Sequence, residues 1–101
     1  MPVHNEDIAA VFEEIANLLE IEGDNPFRIR AYRNGARTLR ELGHDIQTLI
    51  EHGEDITHLS GIGKNLATKI HEILETGHCR SLDKLRKQLP ADLTELLRLR
   101  Q

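Results

Sequence analysis

From Ile8 to Leu85 the apolar residues recur at intervals of three and four, and single glycines at 23, 43, 53 and 77 break that recurrence into separate runs. Such spacing puts the apolar side chains on one face of an α-helix, and no stretch shows the alternation of a strand. The chain is therefore expected to be all-α, a compact bundle of short helices forming one domain over residues 1–101. Composition agrees. Only three residues are aromatic and none is Trp, so Leu and Ile must fill the core, which favours packed helices over a sheet. No apolar run approaches membrane-spanning length, and no signal peptide is visible. The single cysteine, Cys79, excludes an internal disulfide and fits a reducing cytoplasm.

The helix boundaries can be read from the local chemistry. Asn5 is expected to cap a first helix, with Glu6 and Asp7 in its first turn and Ile8, Val11, Phe12, Ile15, Leu18 and Leu19 on its inner face. Asn25-Pro26 opens a second helix running to about Leu42, with Pro at the favoured first position. Asp45 caps a short third, roughly Ile46 to His52. A brief turn at residues 55–58 leads into Ser60-Gly61-Ile62-Gly63. The fourth helix carries Leu66, Ile70, Ile73 and Leu74 and closes at Thr76-Gly77. Ser81 is expected to cap a fifth through about Gln88, and Pro90 to start a last helical piece, Asp92 to Arg100. Residues 44–77 thus read as helix, turn, helix.

The formal net charge of −4 hides a division. Residues 1–25 hold seven acids and no Lys or Arg, while residues 26–101 hold all 13 Lys and Arg against ten acids, a net of +3. Local charge sets the field that a ligand meets, so the body of the chain can still face a polyanion. The segment RIRAYRNGARTLR has five arginines and no acid. Arg30, Arg33, Arg37 and Arg40 share one face, beside a packed face of Ile29, Tyr32, Ala36 and Leu39. Gly35 would let a neighbouring backbone come close. Two readings compete for the stripe: a solvated charged face, or phosphate binding, for which arginine is the better fork.

In HLSGIGKNLATKIHEILETG, a reversal between helices needs positive φ or close backbone approach, and Gly61 and Gly63 supply both. The helix after Gly63 starts with unpaired amides, which make an anion site beside Lys64. Ile62 is expected to tuck between the helices. Other phosphate motifs fail: a Walker A loop would need glycine at His58 and Ser or Thr at Asn65, and the dinucleotide fingerprint lacks its strand and its third glycine. HEILE at residues 71–75 lacks the second histidine of a zinc-protease helix, and Cys79 has no evident catalytic partner.

PFRIRAYRNGARTLREL, LSGIGKNLATKIHEILETG and RSLDKLRKQLP, in this order, resemble the amino-terminal lyase-type domain of family X DNA polymerases, the DNA polymerase beta group, in its bacterial or archaeal form. The central pattern is similar to the helix-hairpin-helix motif. The resemblance runs from about Asn5 to Leu97. It implies non-sequence-specific binding to gapped or nicked DNA on the 5′-phosphate side, in base excision repair. The residues it implicates, together with the arginine stripe, are Arg28, Arg30, Arg33, Arg37, Gly61, Ile62, Gly63, Lys64, Asn65 and Lys69. It also implies a monovalent cation, Na+ or K+, held by the main-chain oxygens of Thr57, Leu59 and Ile62, and no organic cofactor. In related polymerases a lysine at the position of Lys69 forms a Schiff base with the abasic sugar, and Tyr32 matches a tyrosine near that site. Phe27 stands where that pattern has histidine, and Arg28, Asn65 and Ser81 where it has lysines. The phosphate would then fall to Arg28, Lys64 and the hairpin amides, with Arg28 a possible cationic neighbour of Lys69.

Three functions follow: a DNA-binding domain, a 5′-deoxyribose-phosphate lyase using Lys69, or a protein-interaction module presenting the acidic first helix. Nothing matches the metal-binding carboxylates of a nucleotidyl transferase, so this chain alone is not expected to polymerise DNA. The absence of a second hairpin and the apolar Leu96, Leu97 and Leu99 suggest an excised domain whose partner is the rest of a polymerase, the alternative being a natural stand-alone module. The domain is read as a monomer, cytoplasmic and nucleoid-associated, with no membrane partner.

Overall fold

The computed structural model describes residues 3–88, which form α1 (Asn5–Glu22), α2 (Pro26–Glu41), α3 (Ile46–Glu51), a 3-10 turn (Ile56–His58), α4 (Lys64–Thr76) and α5 (Arg80–Gln88). The fold is all-α, as the spacing requires. The helix expected over residues 92–100 lies outside the described residues.

The framework is a pair of helices. Phe12, Ile15 and Leu19 of α1 and Tyr32, Ala36 and Leu39 of α2 are all buried. The Phe12 and Tyr32 rings meet edge to face with centroids 5.7 Å apart, the arrangement that the ring quadrupoles favour. Arg40 reaches Glu6 and Glu13, and Arg33 reaches Glu20, so α1 and α2 run antiparallel. The buried Leu82 and Leu85 belong to α5, which Arg86 ties to Glu14 of α1 at 2.7 Å. These ion pairs are largely exposed and screened by solvent, so each contributes little; the apolar seam beneath them carries the stability.

Two caps differ from the sequence reading. His4, not Asn5, is the N-cap of α1, and its N–H donates to the Asp7 carboxylate at 2.8 Å. Asn5 acts at long range instead. Its Nδ2 donates to the His44 carbonyl at 2.8 Å, and its Oδ1 accepts the Ile46 N–H at 2.9 Å. It therefore satisfies one of the orphan amides at the start of α3. Similarly, α5 already begins at Arg80, with the Cys79 carbonyl accepting the Asp83 N–H, so Ser81 lies inside the helix and does not cap it.

The acid side of the stability profile follows from two carboxylates. Glu6 titrates below its ordinary 4.5, chiefly because the Arg40 guanidinium donates to it. Asp55 is lowered as well, first by the Thr57 hydroxyl and then by the Thr57 N–H. A carboxyl lowered in the fold stabilises it above the unfolded pKa and loses that contribution as pH falls through the folded value. The urea midpoint should hold steady from neutral pH to about 5 and then fall. In Glu6→Gln that acid fall should be shallower; an equally steep fall in both proteins would remove Glu6 from the account.

Candidate nucleic-acid interface

The hairpin is built by short capping contacts. Asp45 accepts the Gln47 N–H at the start of α3, and Asp55 accepts both the N–H and the hydroxyl of Thr57 at 3.0 and 2.7 Å. The chain then reverses through residues 59–62, closed by the Ile62 N–H donating to the Leu59 carbonyl at 3.0 Å. Gly61 is the third residue of this turn, at φ 81°, the left-handed value that a type II turn requires there. A Cβ at Gly61 would also lie 3.1 Å from the Thr38 hydroxyl and 3.5 Å from the Asn34 carbonyl. Its neighbour Ser60 is held by the Thr38 hydroxyl, which donates to the Ser60 carbonyl at 2.6 Å. From the other side, a Cβ at Gly35 would stand 3.6 Å from the Gly61 carbonyl and 2.7 Å from Leu66 Cδ1. Gly35 thus admits the hairpin against α2, as its position suggested. Ile62 is buried at the tip.

Gly63 behaves differently from Gly61. Its backbone is extended, φ −84° and ψ −178°, and nothing lies within 4 Å of where a Cβ would be. The expectation that both glycines serve the reversal holds for Gly61 only. Gly63 is the N-cap of α4, and no side chain caps that helix. Unpaired leading amides and the positive end of the helix dipole therefore face outward, with Lys64 and Asn65 exposed beside them.

Lys69 is half-buried. Its Nζ donates to Asn65 Oδ1 at 2.8 Å and sits 6.0 Å from the centroid of the Tyr32 ring. Tyr32 Oη is buried and finds no hydrogen-bond partner among the described residues, so what Tyr32 turns to the Lys69 ammonium is its ring. Arg28 turns to Asp24, at 3.3 Å, at a groove that Ser81 and Lys84 also line. Among the described residues its ion pair is with that carboxylate.

The arginine stripe divides in two. Arg40 is held by Glu6 and Glu13, while Arg33 meets Asn17 at 3.2 Å and Glu20 at 3.3 Å. Neutralising carboxylates, absent from residues 28–40 themselves, come from α1. Among the described residues Arg37 bonds to the neutral Asn34 alone, at 3.0 Å, and Arg30 lies 5.7 Å over the Phe27 ring. Phe27 itself is 75% exposed, a residue not counted in the site from the sequence. The signal was present: Phe27 lies off the face made by Ile29, Tyr32, Ala36 and Leu39, so it had no core to enter. The acidic first helix is consumed in turn, since five of the seven acids in residues 1–25 pair with arginines.

A helix-hairpin-helix domain model matches residues 3–79. The chain belongs to the helix-hairpin-helix domain family. It is 38% identical over 97 residues to the DNA polymerase/3'-5' exonuclease PolX of Bacillus subtilis (strain 168), an alignment covering 96% of this chain and 16% of that protein. It is 26% identical over 87 residues to the DNA polymerase lambda of Rattus norvegicus, covering 86% of this chain and 14% of the relative. The relation to the amino-terminal region of family X DNA polymerases, expected from the three sequence motifs, holds. The domain therefore spans about a sixth of the length of these relatives.

Among the described residues no helix of this domain is long and apolar enough to cross a membrane, and no group of three or more His, Cys, Asp or Glu gathers as a metal site. The Leu59 carbonyl accepts one hydrogen bond, from Ile62, and keeps a second lone pair. Main-chain oxygens at such a turn are the donor type that replaces the hydration shell of an alkali cation.

Proposed function

We propose that this domain binds DNA without base preference, gripping the backbone on the 5′-phosphate side of a gap or nick, as part of a family X repair polymerase. The observation that carries the reading is the uncapped start of α4, presented by the turn at Gly61 with Lys64 at the first helical position. A phosphate there would accept from open amides and meet the helix dipole and the lysine together. Thr57, Leu59 and Ile62 would hold a monovalent cation through main-chain oxygens, whose charge would favour the same phosphate. Arg37 and Arg30 extend the positive field, while Arg33 serves the helix pair first. Phe27, with Arg30 beside it, gives an unpaired base a face to stack on. The kinship with two DNA polymerases supports the reading.

A second reading, the lyase, is favoured by the half-buried setting of Lys69 beside this anion site. Its amine would add to the C1′ aldehyde of an abasic sugar and lose water to give an iminium. That makes the C2′ proton acidic, and its loss expels the 3′ oxygen by β-elimination.

One experiment tests both readings. Fluorescence anisotropy at low salt should show tighter binding to gapped duplex bearing a 5′-phosphate than to the same duplex without it, whatever the base sequence. No binding at low salt sinks both readings. With binding confirmed, borohydride reduction on DNA bearing 5′-deoxyribose phosphate should trap a covalent adduct that Lys69→Ala loses. If no adduct forms, Lys69 is left as a phosphate ligand.

A further inference from the structure

We infer that Asn65 is a positioning residue that holds the Lys69 ammonium ready for a DNA phosphate without cancelling its charge. The inference rests on the DNA-binding reading above. Three observations lead to it. First, Asn65 and Lys69 are one turn apart on α4, and the Nζ to Oδ1 distance of 2.8 Å is that of a formed hydrogen bond. Second, the same Nζ lies 6.0 Å from the Tyr32 ring centroid, within the range where an aromatic face attracts a cation. The four-carbon stem is thus drawn toward α2 and back toward the N-terminus of its helix, the end whose amides are open. Third, the partner is neutral. Where α2 presents Arg33 and Arg40, the holding groups are carboxylates and the positive charge is offset. At Lys69 the holding groups are a carboxamide and a ring.

The chemistry of the two side chains makes this division of labour work. An ammonium has three donors and no acceptor. One donor is directed to Asn65, and two remain for phosphate oxygens. A free lysine loses much rotamer freedom when it is fixed on a ligand, and holding it beforehand moves that loss out of the binding step. Tyr32 can act as the fixed wall because it is buried and braced by Phe12. Asn65 is exposed, so its replacement should leave the core untouched.

The test is a double-mutant cycle on the whole chain, read by anisotropy with gapped DNA carrying a 5′-phosphate. Lys69→Ala should weaken binding roughly tenfold, as the loss of a charge-assisted contact. Asn65→Ala should weaken it about threefold, by releasing Lys69. In the Lys69→Ala background, Asn65→Ala should change nothing, because there is no ammonium left to position. Thermal unfolding midpoints of all variants should agree, which separates positioning from a fold defect. The same threefold loss in both backgrounds would overturn the inference and make Asn65 a DNA ligand in its own right. No loss in the wild-type background would overturn it as well. If the wild type itself fails to bind, it is the DNA-binding reading that falls, and the inference falls with it.

Discussion

Gly61→Val should cost this domain roughly 2–4 kcal/mol of stability and more than tenfold in DNA affinity. Gly61 sits at φ 81°, where a β-branched residue is strained by about 1–3 kcal/mol. The added side chain would also start 3.1 Å from the Thr38 hydroxyl and 3.5 Å from the Asn34 carbonyl. Backbone cannot move aside cheaply, so the hairpin would lift from α2 and break the Thr38 to Ser60 hydrogen bond. That would shift Ile62 from its buried seat and turn the start of α4 away from its present aim. For a domain of this size such a cost is a large part of the total stability. The control is Gly63→Ala. Gly63 has an extended backbone and open space around its Cβ position, so alanine should leave the urea midpoint within about 0.5 kcal/mol of wild type. It would nonetheless set a methyl at the mouth of the anion site, and affinity should fall. Urea unfolding and anisotropy on the two variants check the pair. Equal stability of Gly61→Val and Gly63→Ala would contradict the geometry of the turn.

Lys64→Glu should move affinity and stability in opposite directions. Lys64 is the first residue of α4, exposed, on a helix that no side chain caps. A glutamate there suits the helix dipole and should raise stability by about 0.3–1 kcal/mol. The same charge repels a phosphate, so binding to gapped DNA should weaken by about 30-fold, with a salt slope shallower by about one unit. Titrations between low and moderate salt, beside thermal unfolding, would read both effects. A variant that is more stable and still binds as wild type would place the phosphate somewhere other than the start of α4.

The sequence and the structure agree where the physics is local. The spacing of Ile8, Phe12, Ile15 and Leu19 and of Tyr32, Ala36 and Leu39 determines helices with one buried face, and these residues are buried. Asn25-Pro26 and Asp45 announce helix starts because their side chains act on amides two residues away, and both do so here. Gly-Ile-Gly announces a reversal followed by an exposed helix end. All of this is carried by neighbours in the chain, and so is the family, since its motifs are contiguous.

What the sequence could not settle depends on residues far apart. Asn5 looks like a cap for its own helix, but its side chain is engaged by residues 44 and 46, a pairing no local pattern encodes. Gly61 and Gly63 look alike in the chain. The folded turn puts Gly61 at φ 81° and brings Thr38 and Asn34 against it, which makes the first indispensable and leaves the second open. The four arginines of the α2 stripe also look alike, yet packing α1 against α2 brings Glu6, Glu13 and Glu20 to two of them and leaves Arg37 and Arg30 without an ion pair among the described residues. Charge composition is a property of the chain. Which charges remain uncancelled is a property of helix packing, because ion pairing acts through space at a few ångströms and is blind to sequence separation.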